Sequence, residues 1–572
     1  MVKDLAQLKP EMVWNPQTLN EHFANIDESQ MEKLLGKGLF GPVSFTKASV
    51  EVQTKQGTYT LVRLQSQRNG QTKTAFLMVK DPDLNLMSRT IELALQNSLT
   101  NVVIMPDGHL TNTNIVGFSS KMQRDENNQW QLAPLIIGAD IGCGVLSAQF
   151  DPALPINDRQ AFLEVLDRAI VQTIPAGMAA EHDLTTLDEV FYTKVKKQVE
   201  AFLDQSHFYK TLSPMEQECL VVNIIANTAT LGAGNHFIEI NENGAGQMQL
   251  NIHSGSRTFG GKVDQYYQKL AANYNKQENQ VQNSAQSEWA AVVELKRKQF
   301  QTGLISATEL NEFFKDNKAP KQKRTTSQQL LTLKGQMAQN YFHDLKVAEA
   351  YGQFNRQMMM AIIANKTKAI LNLAPETKVF QNEYHNIHNS AFLVANEVVL
   401  LKGAILGQVQ GVTNEQNQIH PNVIPLNMQE GIISTLPAYD QTSGGQFNFA
   451  LPHGAGRYTS RKQFVNQDRQ NKWVEFQKQM QGIVSSCVVQ DTLDESPAAY
   501  KDKNEIFTQS VALLDQSNLK IFRPLYSFKG HNELPFMKKI AAIKRNNEEH
   551  FYGPIKRQFR QQLKEVNNGS NY

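Results

Sequence analysis

Residues 136–145 read Ile136-Ile-Gly-Ala-Asp-Ile-Gly-Cys-Gly-Val145. A carboxylate, Asp140, and a thiol, Cys143, stand three positions apart in a loop whose glycines add no side-chain bulk, so the two can close on one metal ion or bridge two. Around them, in residues 102–150, short apolar runs (Val102-Val-Ile-Met, Leu135-Ile-Ile) end repeatedly in Pro, Gly and Asp. That is the pattern of buried strands feeding loops on which side chains converge. Two donors do not make a site, and the others must come from elsewhere in the chain.

The histidines supply candidates. Most of the thirteen sit in polar stretches without pattern, but four do not. His236 lies in Leu231-Gly-Ala-Gly-Asn-His-Phe-Ile-Glu-Ile, a Gly-rich turn leading into an apolar run. His253 lies in Leu250-Asn-Ile-His-Ser-Gly-Ser-Arg, a strand end followed by a turn and a cation. His385 opens His-Asn-Ile-His, and His453 stands in Leu451-Pro-His-Gly-Ala-Gly-Arg. Imidazoles added to Asp140 and Cys143 give an O/N/S donor set that suits zinc or a first-row transition metal better than magnesium or calcium. Each residue alone also has an ordinary core reading, since a buried Cys behaves as a small hydrophobe and a His in an apolar run is commonly a satisfied interior group. No CxxC…CxxC spacing forces the set together. Gly-rich turns beside His and Arg, at His253-Ser-Gly-Ser-Arg257 and His453-Gly-Ala-Gly-Arg457, also fit phosphate recognition, because glycine lets backbone N–H groups approach an anion. Neither is a Walker A sequence. Lys402 and Lys529, each before a Gly, are further candidate phosphate cations.

These candidates span most of the chain, so they can meet only if it folds largely as one unit. Its 572 residues would otherwise suggest three or four domains. Hydrophobic residues are 41% and charged residues 20%, with Lys+Arg 57 against Asp+Glu 55. Disorder throughout, collagen and coiled coil are excluded. The net charge of +2 offers no bulk basic surface for nucleic acid, so any phosphate must be bound locally. Three cysteines cannot frame a disulfide scaffold and point to a reducing, cytoplasmic setting, with Cys219 and Cys487 expected in the core. No run reaches the length of a membrane span, and no membrane association is expected. Two β-prone runs joined through Asn69-Gly70 predict a hairpin near residues 57–80. Apolar residues at helical spacing from Phe342 to Ile362 predict a long amphipathic helix over 338–373. Residues 275–333, rich in Gln, Asn, Lys and Glu, read as a polar, partly helical surface insertion with a basic run.

The motifs, in this order, resemble the RtcB family of tRNA-splicing RNA ligases. Met105-Pro-Asp-Gly-His, Asp140-Ile-Gly-Cys-Gly, Leu231-Gly-Ala-Gly-Asn-His-Phe-Ile-Glu, Ile252-His-Ser-Gly-Ser-Arg, His385-Asn-Ile, Lys402-Gly-Ala, His453-Gly-Ala-Gly-Arg and Glu495-Ser-Pro-Ala-Ala-Tyr-Lys-Asp carry the likeness over residues 102–530. The resemblance implies an α+β (mixed α/β) fold, a single large catalytic domain over 101–572 with a dinuclear metal cleft. A β-containing region of residues 1–100 would be part of that domain or packed on it. It implies two manganese ions on Asp140, Cys143, His236, His253 and His385, with His388 as the alternative ligand if the local backbone is helical. His453 would be the nucleophile that becomes guanylylated by GTP, with Asp107, Arg257 and Lys402 as further catalytic residues. Asn235, Glu239, Asn386, Asn427, Gly454, Ala455, Gly456, Arg457 and Lys529 would contact the nucleotide. The substrate would be RNA with a 3′-phosphate or 2′,3′-cyclic phosphate end and a 5′-hydroxyl end, joined in repair or tRNA splicing, with room for an activating protein partner. Where many relatives read Pro-Gly-Ser-Met-Gly, this chain has Pro425-Leu-Asn-Met-Gln-Glu-Gly, which removes a serine expected to face the nucleotide. A metal-dependent RNA phosphodiesterase and a non-catalytic RNA-binding protein remain the alternatives.

Overall fold

The computed structural model describes residues 44–54, 57–68, 71–79, 82–111, 114–177, 180–282, 330–394, 396–409 and 419–530, with scattered single positions among 29–35, 292–313 and 550–553. In chain order the strands are β1 (Ser44–Thr54), β2 (Gly57–Arg68), β3 (Gln71–Leu77), β4 (Leu99–Leu110), β5 (Ile115–Met122), β6 (Gln131–Leu132), β7 (Gly144–Phe150), β8 (Phe237–Asn243) and β9 (Met248–Ser254). They continue with β10 (Leu333–Lys334), β11 (Phe380–Ile387), β12 (Asn389–Val394), β13 (Glu397–Lys402), β14 (Ala404–Leu406), β15 (Asn422–Pro425), β16 (Ile432–Thr435), β17 (Ala450–Pro452) and β18 (Lys520–Lys529).

Two seven-stranded sheets dominate, in the orders β1-β2-β3-β4-β5-β13-β12 and β11-β7-β9-β8-β18-β16-β15. Buried residues of both belong to one continuous hydrophobic cluster, and with the helices they give the mixed α+β class expected. The predicted hairpin is present: β2 and β3 pair antiparallel with Arg68 opposite Gln71, while Asn69-Gly70 itself lies outside the described residues. Strand β3 then pairs parallel with β4, which requires a crossover, supplied by helix Leu84–Ala94. That helix starts at Asp83, whose carboxylate accepts the N–H groups of Asn85 and Leu86. The strands of residues 44–77 are thus hydrogen-bonded into the same sheet as β4, β5, β13 and β12.

The predicted long helix runs over Gly335–Ile370 and buries Tyr341, Leu345, Ala348, Tyr351, Met358 and Met359. It packs against β7, β9 and β12. Helix Arg257–Gln282 extends into the polar segment, but residues 283–329 lie outside the described residues apart from scattered positions, and so does the basic run.

The second sheet sets the site. Cys143 directly precedes β7, His236 directly precedes β8, His253 is the penultimate residue of β9, and Lys529 closes β18. Antiparallel register places these at one end of the sheet, with His253 opposite Val145 and Phe237, and Phe237 opposite Lys529. His388 stands at the same end, where the chain leaves β11 of one sheet for β12 of the other.

Candidate active site and metal centre

The loop of residues 138–143 packs hard against the long helix. Gly142 has φ +68°, and a Cβ there would lie 2.7 Å from the Glu349 Cα, so only glycine fits. Gly255 likewise gives way to the Asp140 side chain, since its Cβ would meet Asp140 Oδ1 at 2.0 Å. Beneath the loop Arg356 is fully buried. One of its Nη groups donates to the carbonyls of Gly142 (3.0 Å) and Ser254 (2.6 Å), clamping the ends of β7 and β9 together.

Four of the five predicted ligands converge. Cys143 Sγ lies 3.4 Å from His236 Nε2 and 3.2 Å from His253 Nε2, and His236 Nε2 lies 3.0 Å from Asp140 Oδ2. The fifth differs from expectation. His385 sits within β11 and pairs with Glu383 at 3.3 Å, away from the cluster, while His388 Nε2 stands 3.1 Å from His253 Nε2. The backbone at His385 is a strand, not a helix, and a step of three residues along a strand changes face. His388 is further fixed because its N–H donates to the carbonyl of Cys143 at 2.9 Å.

The donor set fits a transition-metal ion. His236 Nδ1 faces the Leu231 carbonyl (2.9 Å) and His253 Nδ1 the Asn235 carbonyl (3.1 Å). A carbonyl can only accept, so each Nδ1 carries the proton and each Nε2 turns a lone pair into the cluster. Lone pairs facing a carboxylate oxygen, a sulfur and another imidazole at 3.0–3.4 Å are the arrangement a shared cation relieves. Burial, then neighbouring imidazoles, push His253 and His388 well below the ordinary histidine range, which keeps their lone pairs available. Burial and then Asp140 push the Cys143 thiol up, so a bound cation must supply the charge that makes it a thiolate. Burial alone would raise Asp140, and a positive charge at the position of His236 Nε2 holds it below the usual carboxylate range; with the ring neutral, a bound cation would supply that charge.

His453 follows β17 and stands next to the cluster, its ring centroid 4.9 Å from that of His388. Its Nδ1 donates to Asp107 Oδ2 at 2.6 Å, and the N–H groups of His453 (3.0 Å) and Gly454 (3.2 Å) donate to the same oxygen. Asp107 is fully buried in the irregular part of β4, where the ladder to β5 breaks between Ile104 and His109. Of the two neutral tautomers this contact selects the one with its proton on Nδ1, and it directs Nε2 away from Asp107.

A cavity of about 1460 Å³ opens beside His453. Asn235, Phe237, Glu239, Asn427, Gly454, Ala455, Gly456, Arg457, Lys501 and Lys529 line it, which gathers eight of the nine predicted nucleotide contacts. The ninth, Asn386, is absent from its wall. Its Oδ1 accepts the Val423 N–H at 2.9 Å, so its buried amide ties β11 to β15. Asn427 has a structural task as well, accepting the N–H groups of Gln429 and Glu430 in the turn between β15 and β16. Arg257 and Lys402 also lie outside the cavity wall, on the Asp140 side. Arg257 Nε donates to Thr230 Oγ1 (3.2 Å) and Lys402 Nζ to the Ile137 carbonyl (2.6 Å).

Charge in the cavity is organised around one buried carboxylate. Glu495 pairs with Lys529 at 2.8 Å, Arg457 at 3.3 Å and Arg461, and accepts the Tyr500 hydroxyl. Burial would raise Glu495, but Lys529, Arg461 and Arg457 bring it down to about 2. Glu239, which lines the cavity, is raised by burial from 4.5 to about 7 despite Lys529, with hydrogen bonds from Asn241 and Ser527 at 3.2 Å each. Sequence reasoning gave no role to Arg461, Glu495, Lys501 or Arg356. Glu495 and Lys501 stood within a quoted motif and Arg461 follows Arg457 by four residues, whereas Arg356 is hidden in an apolar helical stripe. Cys487 is buried against Lys529 as expected of the core, while Cys219 is only half-buried.

A donor cluster able to hold a metal, set beside a cavity with cations and an oriented imidazole on a mixed helix-and-sheet frame, defines the class of this protein. The chain belongs to the RtcB family: the family model described as tRNA-splicing ligase RtcB matches residues 92–530. Among curated proteins it is similar to the tRNA-splicing ligase RtcB of Aeropyrum pernix, 22% identical over 462 residues covering 74% of this chain and 87% of that protein. It is also similar to the tRNA-splicing ligase RtcB of Nanoarchaeum equitans, 22% identical over 79% of this chain and 92% of that protein. The RNA-splicing ligase RtcB of Escherichia coli K12 is 28% identical over 172 residues, which span 30% of this chain and 40% of that protein. Among the described residues no helix is long and apolar enough to cross a membrane.

Proposed function

We propose that this chain is an RNA ligase that joins a 3′-phosphate or 2′,3′-cyclic phosphate end to a 5′-hydroxyl end, using GTP and manganese, through a guanylylated His453. The observation that carries the reading is the 2.6 Å bond from His453 Nδ1 to buried Asp107, beside the cluster of Cys143 and imidazoles. Held this way, the Nε2 lone pair attacks the α-phosphorus of GTP, the bond from that phosphorus to the bridging oxygen breaks, and pyrophosphate leaves. The Nδ1 proton stays on the Asp107 bond, where the carboxylate stabilises the positive charge that grows on the ring. A 2′,3′-cyclic end is first opened by water, which breaks the bond from phosphorus to the 2′-oxygen and leaves a 3′-phosphate. GMP then passes to the RNA 3′-phosphate, freeing the imidazole, and the 5′-hydroxyl displaces GMP to form the phosphodiester. Manganese would be held by Asp140, Cys143, His236, His253 and His388. When bound, it supplies Lewis acidity towards phosphate oxygens. Arg457, Arg461 and Lys529 offer donors for a triphosphate, Arg457 in bidentate form. Glu239, near-neutral in its buried setting, suits contact with a base edge. Arg257 and Lys402, on the other side of the cluster, are assigned to the RNA phosphate path, and three cysteines with no disulfide among the described residues favour the cytoplasm.

Incubation with α-labelled GTP and manganese tests the reading. The label should attach to the wild-type chain and be lost in His453→Ala, and a cleaved stem-loop with 2′,3′-cyclic phosphate and 5′-hydroxyl ends should be joined only when GTP is present. A wild-type chain that takes no label and joins no RNA would sink the proposal. Release of a linear phosphate end without joining would instead identify a phosphodiesterase.

A further inference from the structure

Lys501 belongs to Glu495-Ser-Pro-Ala-Ala-Tyr-Lys-Asp, and nothing in the proposed reaction uses it. It is nearly buried, 6% exposed, and its ammonium donates to the carbonyls of Pro106 (3.0 Å) and Gly108 (3.2 Å). Those carbonyls bracket Asp107 in the stretch where the β4–β5 ladder breaks, so this segment lacks the continuous pairing that would otherwise hold it. Buried carbonyls need donors, and Lys501 supplies them. The Lys501 N–H also donates to the Gly456 carbonyl at 3.1 Å, which ties the same residue to the loop that carries His453. Asp107 Oδ2 takes three donors, but its Oδ1 is buried with no hydrogen-bond partner, so the carboxylate is not locked by its own contacts on that side. An isolated buried carboxylate is expensive, and the Lys501 ammonium is a cation placed beside it.

We propose that Lys501 is a positioning residue: by holding the Pro106 and Gly108 carbonyls it fixes the Asp107 carboxylate, and through Asp107 it fixes the tautomer and aim of the His453 imidazole. The inference rests on His453 being the nucleophile, and its test reads His453 without requiring ligation. Diethyl pyrocarbonate acylates an unprotonated imidazole nitrogen, and mass spectrometry of the full chain's peptides gives the rate at His453 relative to exposed His343 as internal standard. Lys501→Met should slow His453 by about 10- to 100-fold, the range in which loss of an orienting outer partner acts. His343 should not change, and Lys501→Arg, whose fork can reach both carbonyls, should recover most of the rate. Labelling by GTP should fall in parallel through kcat, with KM for GTP little changed. Wild-type reactivity of His453 in Lys501→Met would overturn the proposal, as would equal slowing in Lys501→Arg. If Lys501→Met does not fold, Lys501→Gln, whose amide serves only one carbonyl, is judged by the same ratio. A wild-type chain that takes no label from GTP refutes the ligase reading but leaves the carbethoxylation comparison to decide on Lys501.

Discussion

Glu239→Gln should stabilise the protein at alkaline pH and weaken its use of nucleotide. Glu239 is 2% exposed, and burial raises it from 4.5 to about 7. In this window the native state holds a proton that the unfolded chain has lost, so stability falls as pH rises from about 4.5 and the loss is complete above about 7. At 1.36 kcal/mol per pH unit, the full difference is about 3 kcal/mol. Glutamine keeps the shape and both partners: its carbonyl can accept from Asn241 Nδ2 and its amide can donate to Ser527 Oγ, each now 3.2 Å from the carboxylate. Removing only the charge should therefore return most of that energy at pH 8 and almost none at pH 4.5. With an unfolding entropy of roughly 2 cal/mol/K per residue, a chain this long should gain about 3 °C in melting temperature. The assay is thermal unfolding of wild type and variant in matched buffers at pH 4.5, 6 and 8, reading the difference between them so that other titrating groups cancel. A variant advantage that is the same at all three pH values would refute the reasoning. So would one that is largest in acid. Loss of GTP labelling in a more stable variant would mark Glu239 as a group kept charged or chargeable for function at the expense of stability.

Asp107→Asn should slow labelling of His453 by about 10- to 100-fold, since a charge-assisted hydrogen bond contributes about 1.5–3 kcal/mol and each 1.36 kcal/mol is tenfold in rate. Wild-type labelling kinetics would contradict the 2.6 Å contact as a catalytic one. His388→Ala should lower manganese bound by the purified protein far more than His385→Ala, measured by elemental analysis after dialysis. The reverse order would restore His385 as the ligand. Glu495→Gln removes the carboxylate that Lys529, Arg457 and Arg461 share and leaves only Asp494, on Arg461; breaking such a buried pair costs about 3–5 kcal/mol. Its melting temperature should fall and should be partly restored by inorganic triphosphate. No recovery with the anion would show that the cations do not face a phosphate site.

The sequence made the fold class, the hairpin and the long helix legible because each rests on a local signal: β-prone runs around a two-residue turn, or apolar spacing from Phe342 to Ile362, about six helical turns. Cys143, His236 and His253 were legible for a related reason, since each stands where an apolar run meets a Gly-rich turn, and the structure places all three at strand ends. His388 was not, because the choice between it and His385 depends on whether a three-residue step is taken along a helix or a strand. Here β11 ends at Ile387, and His388 falls on the crossover between the two sheets. Asn386 carries a task that its motif did not signal: in the ladder of β11 with β7 its amide meets the Val423 backbone. Arg356 gave no signal at all. A single cation in an apolar helical stripe looks like a surface position until two strand ends bring their carbonyls to it.

The histidines of this site share one neighbourhood, and what separates their roles is the partner of Nδ1. His236 and His253 give their Nδ1 protons to the neutral carbonyls of Leu231 and Asn235. A carbonyl orients the ring and fixes the lone pair on Nε2, but it stabilises a positive ring only weakly. Such an imidazole is suited to remain neutral and bind a cation. His453 gives its proton to a carboxylate with no exposure to solvent. That partner favours the ring most when the ring becomes positive, which is what happens when Nε2 forms a bond to phosphorus. The same argument explains why His453, the proposed nucleophile, can stand 4.9 Å, ring to ring, from a ligand candidate without being drawn into the cluster. Its backbone N–H and that of Gly454 are bonded to the same Asp107 oxygen as its ring, so rotating the imidazole towards the metal donors would leave a buried carboxylate short of a donor. Burial of Asp107 in the break of β4, not the chemistry of histidine itself, is therefore what singles out His453 as the proposed nucleophile.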